Sequence, residues 1–365
     1  MKPRVLFVGR TRYRLPLDAQ LARKWDALAN ELELRVLATG TDGGDDRFRL
    51  VPARSPAFYL SLPLHVAREL RAFRPAVIVA QSPYEAGAAI AGRALARVPA
   101  RVLLEVHGDW ETATRLYGSP LRRLTEPASR TVARDAVRRA DAVRTVGPFT
   151  TSLVRALGVE PAATFTTYSD ASAFTQSPPA PLPAAPRALF VGVLERYKNV
   201  HGLDAAWRLA AERVPEATLH LVSGSGRERP VAERLVRDFP GRVSWDERLP
   251  SQAVAAALDE AWTLFLPSFS EGLPRVAMEA FARGRAVVGA RAGGIPDIVE
   301  DGVNGLLAPP DDAHALADAL VRMLSDRDLA QSLGDAAHAD SARWLQTPEQ
   351  FARRMRELVD EVAGR

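Results

Sequence analysis

The sequence predicts an α/β protein of two doubly wound, parallel-sheet domains in tandem. Three observations point there. Short β-branched apolar runs alternate with longer helical patterns from one end of the chain to the other. The alternation halts once, at Gln176-Ser-Pro-Pro-Ala-Pro-Leu-Pro-Ala-Ala-Pro186, and then restarts. The chain has 365 residues, which makes two ordinary domains rather than one.

In the first half, Arg4–Val8, Arg35–Ala38, Ala76–Ala80, Arg101–Val106 and Ala142–Val146 read as strands. Leu15–Leu32, Leu62–Phe73, Glu85–Arg97 and Leu121–Arg139 between them read as helices. Near-continuous apolar strands separated by helices mark a parallel sheet covered on both faces. Five of the eleven residues in 176–186 are proline, which neither a helix nor an inner strand tolerates, so this stretch is expected to be a stiff linker. Beyond it Ala188–Val191, Thr218–Val222, Thr263–Leu266 and Ala286–Val288 read as strands. Val200–Arg213, Val231–Asp238, Gln252–Ala261 and Arg275–Arg283 read as helices, as do stretches near 312–323, 327–339 and 347–362. The expected domains are therefore 1–175 and 187–346, with the last helix, about 347–365, packing back on the first. No fixed-period repeat relates the halves. Two such domains imply a central cleft, with ligands beyond the carboxyl ends of the strands.

Hydrophobic residues make up 47% and charged residues 25%, the mix of a globular protein with a core. The absence of cysteine excludes a disulfide scaffold, a thiolate nucleophile and cysteine-ligated metal sites. No apolar run reaches the length of a bilayer span. The start, MKPRVLFVGRTRYR, turns charged too soon for a signal peptide and reads as a buried strand, so a cytoplasmic location is expected. The net charge of +4 conceals an asymmetry. Residues 1–170 hold 26 Lys+Arg against 17 Asp+Glu, and the remainder 22 against 27. A basic half suits an anionic partner. Nucleic acid is not expected, because no helix-turn-helix, RNP aromatic pair or zinc finger is present. An anionic membrane surface fits the apolar and basic mixture of 115–130, on the inner face of the plasma membrane. Oligomeric state is not legible.

The most informative stretch is Leu264-Phe-Leu-Pro-Ser-Phe-Ser-Glu-Gly-Leu-Pro-Arg-Val-Ala-Met-Glu-Ala-Phe-Ala-Arg-Gly284. A strand ends at Leu266, a loop follows, and a helix is expected from Pro274, proline being favoured at a first helical position. The loop thus places free amides at a helix N-terminus, where an anion such as a diphosphate binds. Glu271 lies in the loop; Glu279 lies under two turns into the helix, near its mouth. Carboxylates suit the vicinal hydroxyls of a sugar or ribose. A helix-capping carboxylate and a solvated surface charge fit the same pair.

The run Ser-Phe-Ser-Glu271-Gly-Leu-Pro, Glu279-Ala-Phe-Ala, Gly284, then Ala292-Gly-Gly-Ile-Pro-Asp-Ile-Val-Glu-Asp-Gly302 and Asn-Gly305-Leu-Leu-Ala-Pro resembles the signature of glycosyltransferase family 4. The resemblance covers 187–345 and, more loosely, 76–174. It implies the GT-B fold and a retaining transferase, with the first domain holding the acceptor and the second a nucleotide-diphospho-sugar, UDP- or GDP-linked. By resemblance, Glu271 contacts the donor sugar, Gly272, Leu273 and Pro274 hold sugar and phosphate, and Glu279 holds the ribose. Phe190-Val-Gly-Val-Leu-Glu-Arg-Tyr-Lys198 is similar to the element whose arginine and lysine neutralise the leaving diphosphate, where charge builds in the transition state. Lys198, one of three lysines in the chain, matches. Val193 stands where the arginine is usual, and Arg196 is the substitute on the same loop. A solvated loop lysine is the alternative for Lys198.

Leu104-Glu-Val-His107-Gly-Asp-Trp110 follows a strand of the first half, and by resemblance His107 contacts the donor sugar. Asp109 holds the adjacent loop or faces the acceptor. Leu221-Val-Ser-Gly224-Ser-Gly226 resembles the nucleoside-side loop, though a lone GxG is mostly turn chemistry. Where many relatives carry Gly-Gly after the first strand, this chain has Gly9-Arg10-Thr-Arg12-Tyr-Arg14. Arg10 and Arg12 there fit an anionic acceptor or a solvated basic loop. No Asp-x-Asp pair lies on a strand-end loop, so neither a metal nor another cofactor is expected. Closure of the cleft would exclude water. The rival readings are a nucleotide-sugar epimerase or hydrolase on the same fold, and a sugar-nucleotide-binding protein that has lost catalysis.

Overall fold

The computed structural model describes residues 1–41, 44–52, 57–111, 120–224 and 226–364. They form two compact units, one of Met1–Glu111, Pro120–Asp170 and Gln346–Arg365, the other containing Ala171–Leu345.

In the first unit, β1 (Arg4–Arg14), β2 (Glu33–Thr41), β3 (Phe48–Val51), β4 (Val77–Ala80), β5 (Arg101–Val106), β6 (Ala142–Thr145) and β7 (Ala163–Thr164) form one sheet in the order β3-β2-β1-β4-β5-β6-β7. All neighbouring pairs are parallel. Along β1, Leu6 and Val8 join one apolar cluster and Val5 and Phe7 the other. That period of two, apolar on both sides, is what covering both faces with helices requires. The second unit repeats the plan with β8 (Arg187–Val191), β9 (Thr218–Val222), β10 (Val243–Asp246), β11 (Thr263–Leu266), β12 (Ala286–Ala290) and β13 (Gly305–Ala308), ordered β10-β9-β8-β11-β12-β13 and parallel throughout. The order reverses between β1 and β4 in one sheet and between β8 and β11 in the other. These are the switch points where doubly wound sheets open to ligands.

Four strands have no counterpart in the sequence reading: β3, β7, β10 and β13. All four are sheet edges. An edge strand has one neighbour and a half-wet surface, so it shows no unbroken apolar run. By contrast every residue of Val77–Ala80 and Thr263–Leu266 is buried.

Two expectations are corrected here. The first strand does not end at Val8. After a register shift between Val8 and Arg12 it pairs with β2 again through Arg14. Tyr13 drives this: it is buried, with its ring 5.1 Å from that of Phe48 and 6.1 Å from that of Trp25. Arg10 and Arg12 therefore stand exposed on a strand, not on a loop. Second, the proline-rich stretch does not bridge two bodies. The units divide between Asp170 and Ala171, and 176–186 is fastened to the second unit. Buried Arg283 donates to the carbonyls of Ser177 (2.7 Å) and Pro178 (3.0 Å), and buried Arg285 to that of Ala180 (2.8 Å). Arg327 reaches the Leu182 carbonyl at 2.6 Å, and the Trp262 indole that of Pro183 at 2.9 Å. Prolines lack N–H groups but keep their carbonyls, so a proline-rich strap offers acceptors without needing partners for donors.

The last helix, Pro348–Gly364, belongs to the first unit, where Phe351, Met355 and Val359 join the cluster of Trp25 and Leu28. Among the described residues no helix is long and apolar enough to cross a membrane. Most of the basic and apolar stretch 115–130 lies outside the residues whose side chains are described.

Candidate functional site

In the second unit, the loops after β8 and β11 leave adjacent strands at the switch point. The first carries Lys198 in a single 3-10 turn, Arg196–Lys198; the second carries Glu271. Their side chains meet: Lys198 Nζ donates to Glu271 Oε1 at 2.6 Å, and both are nearly buried. An ion pair held out of water is worth more than a surface one but needs its geometry fixed. The backbone supplies that. Phe269 N donates to Tyr197 O at 2.8 Å, tying one loop to the other. Asn199, buried and left-handed at φ 54°, caps the helix Val200–Arg213 through Gly202 N and donates to the carbonyls of Pro267 (3.1 Å) and Pro310 (2.7 Å). Asparagine tolerates that conformation better than most residues.

Glu271 does not cap the following helix. That helix runs Arg275–Ala282, its N-cap is Pro274, and no side chain caps it. Pro274 is thus one position earlier than expected. Ala277 N turns back to Pro274 O at 3.0 Å, and among the described residues the amides of Arg275 and Val276 are left for another acceptor. Gly272 and Leu273 link Glu271 to this helix, with Leu273 packed on the apolar cluster behind. The loop Ala292–Gly294 after β12 presses on Glu271 and Gly272. Gly294 N donates to Glu271 O at 2.8 Å, and a Cβ on Gly293, at φ +56°, would come 2.5 Å from that same oxygen. Only glycine fits there.

Glu279 is half-buried on the same helix, and its side chain makes no hydrogen bond or ion pair among the described residues. Burial pushes its carboxyl pKa up, and the charge of Arg275 only partly offsets this. A solvated surface charge is therefore excluded. Because its folded pKa is raised, ionised Glu279 costs stability above its unfolded pKa. Glu279→Gln is expected to raise the melting temperature at pH 7 by about 2 °C, the response to roughly 1 kcal/mol. Calorimetry of the two proteins at pH 7 checks this; a lower melting temperature for the variant would count against it.

Arg196 shares the turn with Lys198 and is exposed, without a side-chain partner among the described residues. Val193 is exposed at 39%, unusual for valine. In the Gly224–Gly226 loop the demanding glycine is the second one. A Cβ on Gly226 would collide with the backbone of Leu194, whereas one on Gly224 would meet ordinary contacts. Three features were given no role by the sequence: Asn199, and, inside the quoted signature run, the Gly293-Gly294 press and Ser268, whose hydroxyl is buried without a hydrogen-bond partner among the described residues. Asn199 and the glycine pair were visible as turn-prone residues near strand ends; nothing local marked Ser268 as buried.

In the first unit His107 follows β5. Its Nε2 lies 3.3 Å from Glu105 Oε2, and its Nδ1 3.2 Å from Thr167 Oγ1. Glu105 is paired with the fully buried Arg144, its in-register neighbour on β6. Burial alone would raise the Glu105 pKa, but Arg144 and the hydrogen bond from His107 outweigh it and hold the carboxyl at about 2. Asp109 accepts from Glu111 N at 2.8 Å, so it holds the adjacent turn. Arg10 lends its charge to Tyr59, whose hydroxyl donates to buried Glu85 at 3.1 Å. Among the described residues no three His, Asp or Glu side chains cluster as metal ligands would.

Comparison with known proteins adds three findings. A family model described as "Glycosyl transferase 4-like domain" matches residues 19–167, and one described as "Glycosyl transferases group 1" matches 185–326. The D-inositol 3-phosphate glycosyltransferase of Corynebacterium urealyticum is 34% identical over 179 residues, 46% of this chain and 42% of the relative. That of Kribbella flavida is 33% identical over 189 residues, 48% and 44% of the two chains. The chain thus spans less than half the length of the curated relatives it matches. Among solved structures, sucrose-phosphate synthase from Thermosynechococcus elongatus superposes with a TM-score of 0.80 at 21% identity, covering 100% of both chains. HepE of Anabaena, solved with UDP and glucose, superposes with a TM-score of 0.72 at 18% identity, covering 98% of this chain and 99% of that one. The fold is GT-B.

Proposed function

Given that this chain belongs to glycosyltransferase family 4, we propose that it is a retaining transferase. It moves a sugar from a UDP- or GDP-linked diphosphate donor to a glycan, lipid-linked or small-molecule acceptor. One observation carries the reading: a nearly buried Lys198–Glu271 pair at the β8/β11 switch point, beside an uncapped helix N-terminus.

In this reading Lys198 and the amides after Pro274 take the diphosphate, with Arg196 as a second, exposed cation. Glu271, Gly272 and Leu273 face the donor sugar, Glu279 takes the ribose hydroxyls, and the Gly224 loop lies on the nucleoside side. His107 contacts the donor sugar from the first unit. The acceptor oxygen attacks the anomeric carbon on the face the diphosphate leaves; the carbon–phosphate-oxygen bond breaks, and the acceptor proton goes to the departing phosphate. The acceptor named for the corynebacterial relatives carries a phosphate, which suits exposed Arg10 and Arg12. With cations already placed for the diphosphate, turnover needs no divalent metal. A rate lost on chelation and restored by Mg²⁺ or Mn²⁺ would count against that.

The first unit also suits a cytoplasmic anionic bilayer face. Leu60 and Leu64 stand 79% and 66% exposed on the helix Ala57–Phe73, which also bears exposed Arg68 and Arg71.

The test is a thermal-shift screen of UDP-, GDP- and ADP-sugars, since a specific ligand stabilises in proportion to occupancy. Products of the best donor are then analysed with acceptors. Retention of anomeric configuration supports the proposal. Free sugar or an isomerised donor as the main product, whatever the acceptor, would favour a hydrolase or epimerase. Valine at position 193 favours one further reading, a binder without turnover. Tight binding with no transfer would establish that instead.

A further inference from the structure

We propose that Glu105, Arg144 and Thr167 are positioning residues that fix the orientation of the His107 imidazole, with Nε2–H turned to Glu105 and Nδ1 to Thr167. His107 then meets a ligand as a rigid contact. The inference rests on the glycosyltransferase reading only for the ligand; the arrangement itself lies within the first unit.

The four side chains close a ring. Glu105 and His107 are two residues apart at the end of β5, so both side chains leave the same face. Glu105 Oε2 faces His107 Nε2 (3.3 Å), and Oε1 pairs with Arg144 Nη1. Arg144 Nη2 donates to Thr167 Oγ1 (3.3 Å), and Thr167 Oγ1 lies 3.2 Å from His107 Nδ1. Donor chemistry gives two of the links a direction. Glu105, against a buried guanidinium, is ionised and can only accept, so the proton on Nε2 belongs to His107. Arg144 can only donate, so Thr167 Oγ1 accepts from it, and the same oxygen faces Nδ1.

The ring is held rigidly. Arg144 also donates to the carbonyls of Phe165 (2.9 Å) and Thr166 (3.1 Å), and its guanidinium lies 4.1 Å from the centre of the Phe165 ring. Gln346 Nε2 donates to Thr166 Oγ1 at 2.8 Å, anchoring the same segment. His107 nevertheless keeps 33% of its side chain exposed.

The test is nitrogen NMR of the full chain with ¹⁵N-histidine; His107, one of six histidines, is assigned by the signals lost in His107→Gln. The wild type is expected to show a protonated Nε2. Glu105→Gln/Arg144→Met, which removes both charges together, is expected to give a tautomer mixture. If that variant does not fold, Thr167→Val tests the other link: a shifted Nδ1 resonance, restored by Thr167→Ser. A wild-type Nδ1–H tautomer, or a His107 signal unmoved in the variants, overturns the proposal. In turnover, Thr167→Val is expected to lower kcat several-fold with the donor KM unchanged, and Thr167→Ser to restore it. Loss in KM alone would overturn the positioning role. The NMR needs no donor, so a protein that transfers no sugar would sink the proposed function and leave this test standing.

Discussion

Lys198→Ala is expected to lower kcat about a hundredfold, roughly 2.7 kcal/mol of transition-state stabilisation. The diphosphate gains charge as the sugar leaves it, and Lys198 is the nearly buried cation at the β8/β11 switch point. Water cannot substitute freely for a charge already desolvated. The ligand-free pairing with Glu271 has a consequence of its own. Lys198 is held in place before the donor arrives, so little reorganisation is needed at the moment of reaction. Glu271→Ala removes both the contact to the donor sugar and this restraint, and should also be severely impaired. Removing Lys198 leaves Glu271 nearly buried without its partner, so some of the loss could be structural. The double variant Lys198→Met/Glu271→Gln, which leaves no unpaired charge, separates the two. It should fold like the wild type and remain at least as slow as Lys198→Ala. Steady-state rates at saturating donor decide the matter. A Lys198→Ala enzyme with half the wild-type kcat, or a Glu271→Ala enzyme with full activity, would refute the assignment.

Arg144→Met alone is expected to destabilise the protein by about 3–5 kcal/mol, because it strands Glu105 as a buried charge. Glu105→Gln/Arg144→Met should recover most of that, since it removes the charges together. Urea unfolding of the three proteins reads the difference. The pair also sets an acid limb. The folded Glu105 pKa of about 2 lies below its usual 4.5, so the folded state prefers the ionised form. Its contribution is fully present above pH 4.5 and disappears as the pH falls towards 2. Wild-type stability should therefore drop across that interval by more than that of the double variant. Parallel acid limbs in the two would show that Glu105 contributes nothing there.

What was readable beforehand follows from burial. Thr263–Leu266 and Val77–Ala80 are covered on both faces, so their sequences are unbroken apolar runs. Phe48–Val51 and Val243–Asp246, at the edges, alternate or mix and were missed. The proline-rich segment was recognisable as neither helix nor inner strand. Its docking was not, because that depends on Arg283 and Arg285, about a hundred residues later. The site divides in the same way. Glu271, Lys198 and His107 stood in loops after strands and Glu279 in the helix that follows Glu271, and their residue types matched a known signature. Nothing local distinguished Glu279 as a desolvated carboxylate from a surface one.

By itself the sequence determined the class of fold, the order of its inner strands along the chain and the loops on which chemistry would be found. All of these depend on local periodicity and on turn residues at strand ends. Tertiary structure alone decided which distant side chains share a charge: Lys198 with Glu271, and Glu105 with Arg144. An ion pair between residues 73 apart leaves no periodic trace in the chain. It exists only once parallel strands set two loops side by side and exclude the water that would otherwise screen them.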